Sequence, residues 1–168
     1  PLPGPLDGIR VLDFSMFLAG PYCTRLMADL GAEIIKVEPP GGDFLRNTPP
    51  YRNGQSAYFA HMNCGKKSIV LDLKSQKGRQ AILELIHTVD VVLENFRPGV
   101  MARLGLDYTT LSALRPELVY CAVSGYGQTG PGSQRPAFAP IIHAASGHDL
   151  IMMNYQGDAT EPPPTRST

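Results

Sequence analysis

The chain has 168 residues, enough for one domain with a sizeable core. Apolar residues make up 43% of the sequence and charged residues 18%, a globular composition that excludes an intrinsically disordered chain. The 15 Lys and Arg residues balance the 15 Asp and Glu residues, so the formal net charge is zero. This balance argues against broad binding to nucleic acid or to an anionic membrane.

The first part of the chain predicts a strand, a helix and a second strand. Residues 10–14 are short and apolar and predict a strand, and residues 33–38 predict another. Between them we predict a helix over residues 21–30, which Pro opens and Gly31 ends. Its expected apolar side consists of Leu26, Met27 and Leu30. Two strands joined by a crossover helix favour a parallel pair in a right-handed βαβ unit.

The rest of the chain continues this alternation after a long predicted loop over residues 39–58. Strands are predicted over residues 67–72, 89–94 and 118–123, and helices over residues 76–87, 98–104 and 109–114. Strands that alternate with helices predict an α/β fold with a mostly parallel sheet flanked by helices. Such sheets bind ligands outside the carboxyl ends of their strands, so we expect the site in the loops after Phe14, Val37, Glu94 and Val123.

The cysteines, the apolar runs and the first residues of the chain bear on its cellular compartment. The three cysteines, Cys23, Cys64 and Cys121, are far apart and odd in number, so we expect buried, reduced thiols rather than a disulfide framework or a zinc site. No apolar run approaches the roughly 18 residues of a membrane span. The first residues carry no signal-like pattern of charge followed by apolar residues. We therefore expect a cytoplasmic protein with no membrane partner and no nucleic-acid partner.

A glycine-rich loop follows the last predicted strand. Residues 125–130 match the G-x-G-x-x-G pattern of dinucleotide-binding sites. That function requires a helix to begin within the motif, because the helix N-terminus holds the pyrophosphate. Pro131, Gly132 and Pro136 follow instead, which favours a tight glycine-rich loop. A dinucleotide-binding oxidoreductase domain stays open as an alternative.

The most informative stretch follows the strand predicted over residues 89–94. Asn95, Phe96, Arg97 and Arg103 place an amide, a flat aromatic ring and two guanidinium groups within a short span. Adenine stacks on such a ring, and Arg binds phosphate through two parallel hydrogen bonds. The alternative is that both guanidinium groups are solvated charges on a helix surface.

Two further segments have both a functional and an ordinary explanation. Residues 19–21 lie at the first strand-to-helix turn, where free N–H groups and the helix dipole attract anions, although any turn shares this geometry. Lys66 and Lys67 are candidate phosphate contacts or plain surface lysines. The four histidines lack ligand spacing, so we assign no metal, and no G-x-S-x-G motif indicates a serine hydrolase.

Taken together, these segments resemble the class III CoA-transferases, the family of formyl-CoA and carnitine CoA-transferases. The matching segments occur in the right order and are residues 5–13, 19–21, 29–38, 63–72, 94–105 and 125–131. The resemblance implies a Rossmann-like large domain, of which residues 1–168 are the N-terminal part. The rest of that domain and a smaller second domain are then expected outside this chain. The resemblance also implies a homodimer of subunits interlocked like chain links.

The resemblance further implies where coenzyme A binds. By position, its contacts fall on Leu18, Ala19, Leu71, Asp72, Leu73, Lys74, Asn95, Phe96, Arg97 and Arg103. Some relatives have a polar residue where this chain has Leu18, and a phosphate-binding Arg where it has Pro39. Coenzyme A is expected as a substrate, and no tightly bound cofactor is expected.

The chemistry implied by the resemblance is the transfer of CoA from an acyl-CoA thioester to a carboxylic acid. An Asp carboxylate attacks the thioester carbonyl, CoA leaves as a thiolate, and a mixed aspartyl anhydride forms. Backbone N–H groups are expected to stabilise the oxyanions. The family's Asp falls beyond Thr168, and neither Asp149 nor Asp158 matches it. We therefore expect no catalytic residue in this chain and no activity from the chain alone.

The α-methylacyl-CoA racemases share this fold and many of these segments, so they are the main enzymatic alternative. They need a His–Asp pair shortly after the glycine-rich loop, and the aligned residues here are Phe138 and Ala139. This departure favours a transferase. His143 keeps the racemase alternative open, because it lies close to the aligned position in the sequence.

Overall fold

The computed structural model describes residues 3–155 and Thr160. Backbone contacts divide the chain into two compact units, Pro1–Val123 and Ser124–Thr168. The described elements are, in chain order, β1 (Arg10–Asp13), α1 (Ala19–Asp29), β2 (Glu33–Glu38), a 3-10 helix (Phe44–Asn47), β3 (Tyr51–Arg52), β4 (Gln55–Ser56), α2 (Ala57–Asn63), β5 (Lys67–Val70), α3 (Gln76–Ile86), β6 (Val91–Glu94), α4 (Val100–Leu104), α5 (Tyr108–Leu114), β7 (Val119–Ala122), α6 (Ala139–Ser146) and α7 (His148–Met153).

A five-stranded sheet forms the centre of the first unit. Its strand order is β5-β2-β1-β6-β7, and every neighbouring pair is parallel. Strands β1 and β2 pair in the register Arg10 with Glu33 through Asp13 with Lys36, joined by α1 as the crossover helix. The predicted α/β fold with a mostly parallel sheet is confirmed.

Helices cover both faces of this sheet because successive strand residues point to opposite sides. Leu12 and Val92 face the main core, to which α3, α4 and α5 contribute Ile82, Ile86, Met101 and Leu111. Val11 and Ile34 face the other side, where Met27 of α1 packs. The aliphatic runs of β1, β2 and β6 fit a sheet that is covered twice.

The long loop predicted over residues 39–58 is partly wrong, because it contains ordered elements. Asn53 and Gly54 both adopt left-handed backbone angles, with φ of 52° and 74°, and they join β3 to β4 as a tight antiparallel hairpin. Ser56 then caps α2 by accepting a hydrogen bond from the Phe59 N–H at 3.1 Å. The Asn-Gly pair and the Ser cap were the sequence signals for both elements.

The predicted apolar side of α1 is wrong for two of its three residues, since of these only Met27 packs against a core. Leu26 and Leu30 are 45% and 46% exposed, whereas Gly20, Pro21 and Thr24 are the buried residues of the helix. The small residues let the helix backbone approach β1 closely, and this approach decides which face is covered. On α3 the predicted stripe holds, since Ile82 and Ile86 are fully buried and Leu85 packs against the same core.

The second unit contains α6 and α7, joined at Gly147, which has a left-handed φ of 77°. No residue of either helix is buried, and Ile141, Leu150 and Ile151 are exposed. Among residues 3–155, no helix has the length and apolar character to cross a bilayer.

Gly20→Ala tests the close packing of α1 against the segment after β1. A Cβ added at this glycine would lie 2.3 Å from the Ser15 Cβ. In an open helix the same change would stabilise the protein by about 1 kcal/mol, but here the overlap should destabilise it by about 1–3 kcal/mol. We expect urea unfolding of the full-length protein to show the loss.

Gly132→Ala is the matched control, because its added Cβ would meet nothing closer than 3.8 Å. Its free energy of unfolding should change by no more than about 0.5 kcal/mol. Equal free energies for the two variants would contradict the packing described here.

Candidate functional site

The carboxyl ends of the five parallel strands meet at one edge of the sheet. The chain runs outward through β1, β2 and β5, and then places β6 against the free side of β1. The strand order therefore reverses between β1 and β6, which is where open α/β sheets bind ligands. We call this edge the carboxyl rim; it comprises residues 14–19, 39–46, 71–75 and 95–99. All the predicted coenzyme A contacts except Arg103 lie in these segments, and Arg103 lies in the helix that follows the last of them.

Asn95 links the segments on the two sides of the reversal. Its side-chain Oδ1 accepts a hydrogen bond from the Met16 N–H at 2.8 Å, and its Nδ2 donates one to the Met16 carbonyl at 2.7 Å. The amide was predicted as a ligand contact, but here both of its ends bind protein backbone. Asn95 therefore fixes the segment after β1 relative to the segment after β6.

Leu18 and Ala19 lie at the start of α1, as predicted, and both are exposed. Leu18 is the N-cap residue and supplies no side-chain acceptor for the first-turn N–H groups. Such groups and the helix dipole favour a negatively charged ligand. Phe17, just before them, has a left-handed φ of 63°, an uncommon conformation for a residue with a side chain.

The segment after β6 combines a buried carboxyl group with exposed cationic groups. The Glu94 Oε2 accepts a hydrogen bond from the Phe96 N–H at 2.7 Å, which turns the chain out of the strand. Burial raises the pKa of Glu94, and the bond from Phe96 partly opposes this shift. The Phe96 ring is half-buried and packs against the main core. Its role in the packing was not apparent from the sequence.

Arg97 and Arg103 are both exposed. Within residues 3–155, neither guanidinium group has a hydrogen bond or an ion pair with another side chain. Gly99 adopts a left-handed φ of 84° between them, and a Cβ there would lie 3.4 Å from Arg103 Nη1. Both cations are thus available to a phosphate, and the geometry also permits the solvated alternative.

The segment Leu71 to Lys74 forms a turn between β5 and α3. Leu71 and Leu73 pack against the main core, whereas Asp72 and Lys74 are exposed. Arg79 of α3 donates a hydrogen bond to the Lys74 carbonyl at 2.8 Å. Two of the four predicted contacts, Leu71 and Leu73, therefore have side chains that pack against the protein core. The hydrogen bond from Arg79 fixes the backbone of the turn to α3.

A buried ion pair underlies the rim beside β1. Asp13 and Lys66 have side chains that are 0% and 1% exposed, and the Lys66 Nζ lies 3.0 Å from the Asp13 Oδ2. Lys66 also donates to the Pro21 carbonyl at 2.8 Å. Burial lowers the pKa of Lys66, and the Asp13 carboxylate opposes that shift. The prediction that Lys66 is a phosphate contact or a surface lysine is wrong.

Two further cation–carboxylate contacts lie at the end of β2, one fully buried and one with a partly exposed cation. Lys36 Nζ is 2.9 Å from Asp43 Oδ2, and both side chains are 2% exposed. Glu38 accepts two hydrogen bonds of 2.6 Å from Arg46. Burial alone would raise the pKa of Glu38, but the bonds from Arg46, Ser68 and the Asp43 N–H lower it to about 2.

The charged residues of β2 were the sequence signal for these pairs. Lys36 and Glu38 are charged residues in a strand expected to be covered on both faces, where an ionised side chain requires a partner. Their partners lie in the segment after β2, which had been predicted as a loop.

The second unit supplies the remaining sequence motifs. No helix begins within residues 125–130, and the next described helix, α6, starts at Ala139. The helix that a dinucleotide site requires at this motif is therefore missing from the described structure. In the same unit the His143 Nδ1 lies 4.0 Å from the Asp149 Oδ1, so a histidine and a carboxylate come together near the place that the racemase alternative needs.

The three cysteines differ in their exposure to solvent. Cys23 and Cys64 are exposed, so the prediction of three buried thiols is wrong for these two. Cys121 is half-buried, and burial raises its pKa, which makes it a poor nucleophile. Within the described part of the chain, no three His, Cys, Asp or Glu side chains converge as a metal site.

Comparison with known sequences identifies the family. Residues 6–168 match the family model described as CoA-transferase family III, so the chain belongs to this family. It is 48% identical over 164 residues to the acetyl-CoA:oxalate CoA-transferase of Acetobacter aceti, covering 97% of this chain and 41% of that protein. It is 43% identical over 160 residues to the succinyl-CoA:glutarate CoA-transferase of Mus musculus, covering 94% of this chain and 37% of that protein.

Solved structures agree with this assignment. A hypothetical protein from Mycobacterium tuberculosis matches with a TM-score of 0.85 and 42% identity over 95% of this chain and 44% of that one. A CAIB/BAIF family protein from Brucella suis matches with a TM-score of 0.85 and 37% identity over 99% of this chain and 44% of that one. The chain thus spans about two fifths of the length of these relatives, and the predicted family and fold class are confirmed.

Glu38→Gln tests the charge network at the end of β2. The pKa of Glu38 is lowered from 4.5 to about 2, so its carboxylate stabilises the folded state above about pH 4.5. That contribution is lost as the pH falls from about 4.5 towards about 2. We expect the variant to lose about 2–3 kcal/mol at pH 7, measured by urea unfolding of the full-length protein, and the difference from wild type to shrink below pH 4.5.

Glu117→Gln serves as the control, since this carboxylate is 71% exposed and lies 3.8 Å from its cation. Its effect should stay within about 0.5 kcal/mol at every pH. A difference between Glu38→Gln and wild type that does not vary with pH would contradict the assignment.

Proposed function

We propose that the protein containing this chain is a CoA-transferase that moves CoA between an acyl-CoA thioester and a carboxylic acid. Family membership over residues 6–168 is the observation that carries this proposal. The names of the relatives agree with it, since they transfer CoA between acetyl or succinyl thioesters and dicarboxylic acids. We name no acyl donor for this chain, because those relatives differ from one another in their substrates.

In this proposal coenzyme A lies along the carboxyl rim. The exposed guanidinium groups of Arg97 and Arg103 bind its phosphates, and the first turn of α1 at Leu18 and Ala19 provides N–H groups near the thioester end. The exposed side chains of Asp72 and Lys74 lie beyond the end of β5 and are further contacts. Phe96 and Asn95 act mainly by holding the rim, because one packs on the core and the other binds Met16.

The proposed reaction is covalent catalysis by an Asp carboxylate beyond Thr168. The carboxylate oxygen bonds to the thioester carbonyl carbon, the C–S bond breaks, and the CoA thiolate leaves. The thiolate then attacks the aspartyl carbonyl of the mixed anhydride, which releases the donor acid and leaves an aspartyl-CoA thioester. The acceptor carboxylate attacks this thioester and displaces the thiolate, and the thiolate then attacks the acceptor's acyl carbon in the new anhydride, which forms the acceptor CoA thioester and frees the Asp. The interlocked homodimer and the large-domain boundary implied by the resemblance stay predictions.

Replacing either guanidinium group should weaken acyl-CoA binding. We expect Arg97→Ala and Arg103→Ala in the full-length protein each to raise the KM for the acyl-CoA substrate by about 10-fold or more, because a charge-assisted hydrogen bond contributes roughly 1.5–3 kcal/mol. Steady-state kinetics with varied acyl-CoA and saturating acceptor provide the measurement.

Lys67→Met is the matched control for lost charge. Lys67 is 72% exposed and lies at the opposite end of β5 from the carboxyl rim, so its KM should equal that of wild type. If both Arg variants also retain the wild-type KM, these residues do not bind coenzyme A.

An acyl-enzyme should form when the full-length protein is incubated with acyl-CoA and no acceptor acid. We expect one equivalent of CoA to be released per active site and the protein mass to increase by the acyl group, measured by chromatography and by intact mass spectrometry. Incorporation of deuterium from D₂O at the α-carbon without release of CoA would instead favour a racemase, for which His143 and Asp149 are a candidate acid–base pair. Binding of NADH without binding of CoA would favour an oxidoreductase domain.

A further inference from the structure

Lys36 occupies an unusual place for a lysine. It lies in β2, is 1% exposed, and its ammonium group ends beneath the carboxyl rim. The Nζ donates a hydrogen bond to the Ser15 carbonyl at 2.8 Å. It also lies 2.9 Å from the Asp43 Oδ2, a contact that is electrostatic and lacks the direction of a hydrogen bond. One cation thus joins the segment after β1 to the segment after β2.

Stability alone is a weak reason for such a pair. Removing two charges from water is costly, and replacing a buried ion pair by apolar residues of similar volume is often neutral or stabilising. What an apolar pair cannot reproduce here is the hydrogen bond to the Ser15 carbonyl. The specific contribution of Lys36 is therefore the position of that carbonyl.

Ser15 begins a segment whose first two residues are fixed by hydrogen bonds to other parts of the protein. Ser15 N–H donates to the Asp13 Oδ1 at 2.9 Å, and Met16 exchanges two hydrogen bonds with Asn95. Phe17 follows with its left-handed φ of 63°. An uncommon backbone conformation of this kind persists only where the surrounding contacts determine it. Lys36 provides the contact on the carbonyl side of Ser15, directly before the turn into α1.

Asp43 extends this link to the far side of the rim. Its Oδ1 accepts a hydrogen bond from the Leu45 N–H at 2.8 Å and caps the 3-10 helix, and its N–H donates to the Glu38 Oε2 at 2.8 Å. Asp43 is 1% exposed. The position of its carboxylate, and through it the position of Lys36, is therefore set by the folded segment over residues 39–46.

We propose that Lys36, held by Asp43, is a positioning residue for acyl-CoA binding. It fixes the Ser15 carbonyl and thereby the backbone that presents Leu18 and Ala19 at the start of α1. This role rests on the proposed function for its ligand. It does not require Lys36 to touch the substrate.

The test uses the paired variant Lys36→Met with Asp43→Asn in the full-length protein. The pair removes both charges together, and Asn retains an oxygen that can cap the 3-10 helix, so the protein should fold. We expect the KM for acyl-CoA to rise about 10-fold with kcat within about twofold of wild type, because the acyl-transfer residues are unchanged. Amide hydrogen exchange at residues 15–19 should be about 10-fold faster, while exchange at residues 10–13 stays at the wild-type rate.

Asp43→Asn alone leaves the buried Lys36 ammonium without its carboxylate, so it should lower the stability of the protein more than the paired variant does. It retains Lys36 and the bond to Ser15, so the KM should rise about threefold, less than for the pair. Lys67→Met again controls for the loss of a lysine from the same sheet, at the opposite end of its strand, and should leave both the KM and the exchange rates at wild-type values.

A folded paired variant with wild-type KM and wild-type exchange at residues 15–19 would overturn the proposal. A lower kcat together with a lower melting temperature, with no change in KM, would also overturn the proposal, because that result would indicate a structural role only. If wild-type protein neither binds CoA nor turns over acyl-CoA, the proposed function is wrong, and the exchange measurement then decides the positioning role by itself.

Discussion

The carboxylate of Asp13 is the interaction on which the carboxyl rim depends. It ends β1, is fully buried, and accepts hydrogen bonds from the Ser15 N–H, from the Thr24 hydroxyl at 2.6 Å and from Lys66 at 3.0 Å. Thr24 belongs to α1, and Lys66 lies between α2 and β5. One ionised group thus fixes the turn, the helix that follows it and the entry to another strand. Burial of a carboxylate is costly unless hydrogen bonds and an opposite charge compensate for the lost water, and these partners supply both.

The contacts around this group divide the predicted site into two kinds of residue. Arg97 is an exposed cation at the rim and Arg103 is an exposed cation on the helix that follows it, as a phosphate-binding function requires. Asn95 and Phe96 were predicted for the same function. Instead, the Asn95 side chain hydrogen-bonds to the Met16 backbone and the Phe96 ring packs against the main core. The division is physically consistent, because exposed charges can bind a flexible anion only if the backbone that carries them is held in place.

Local patterns in the sequence were sufficient for the five strands of the main sheet and for α3. The run over residues 33–38 matches β2, and the spacing of Ile82 and Ile86 identified the buried side of α3. Long-range pairing was not readable in this way. Lys66 lies 53 positions from Asp13, and Asn95 lies 79 positions from Met16. No local periodicity records such partners, so the sequence predicted neither the buried position of Lys66 nor the hydrogen bonds between Asn95 and Met16.

The ends of the sheet have a consequence for handling this part of the protein. In the sheet that the described residues form, β5 and β7 are the outer strands, and each has only four residues. Val70 and Val119 expose about 60% of their surface there. Outer strands leave backbone donors and acceptors unpaired along one side. Where exposed β-branched residues accompany such an edge, it can pair with a strand of another chain. The short strands limit self-association, and a substitution that lengthened β7 would extend its unpaired edge and favour aggregation.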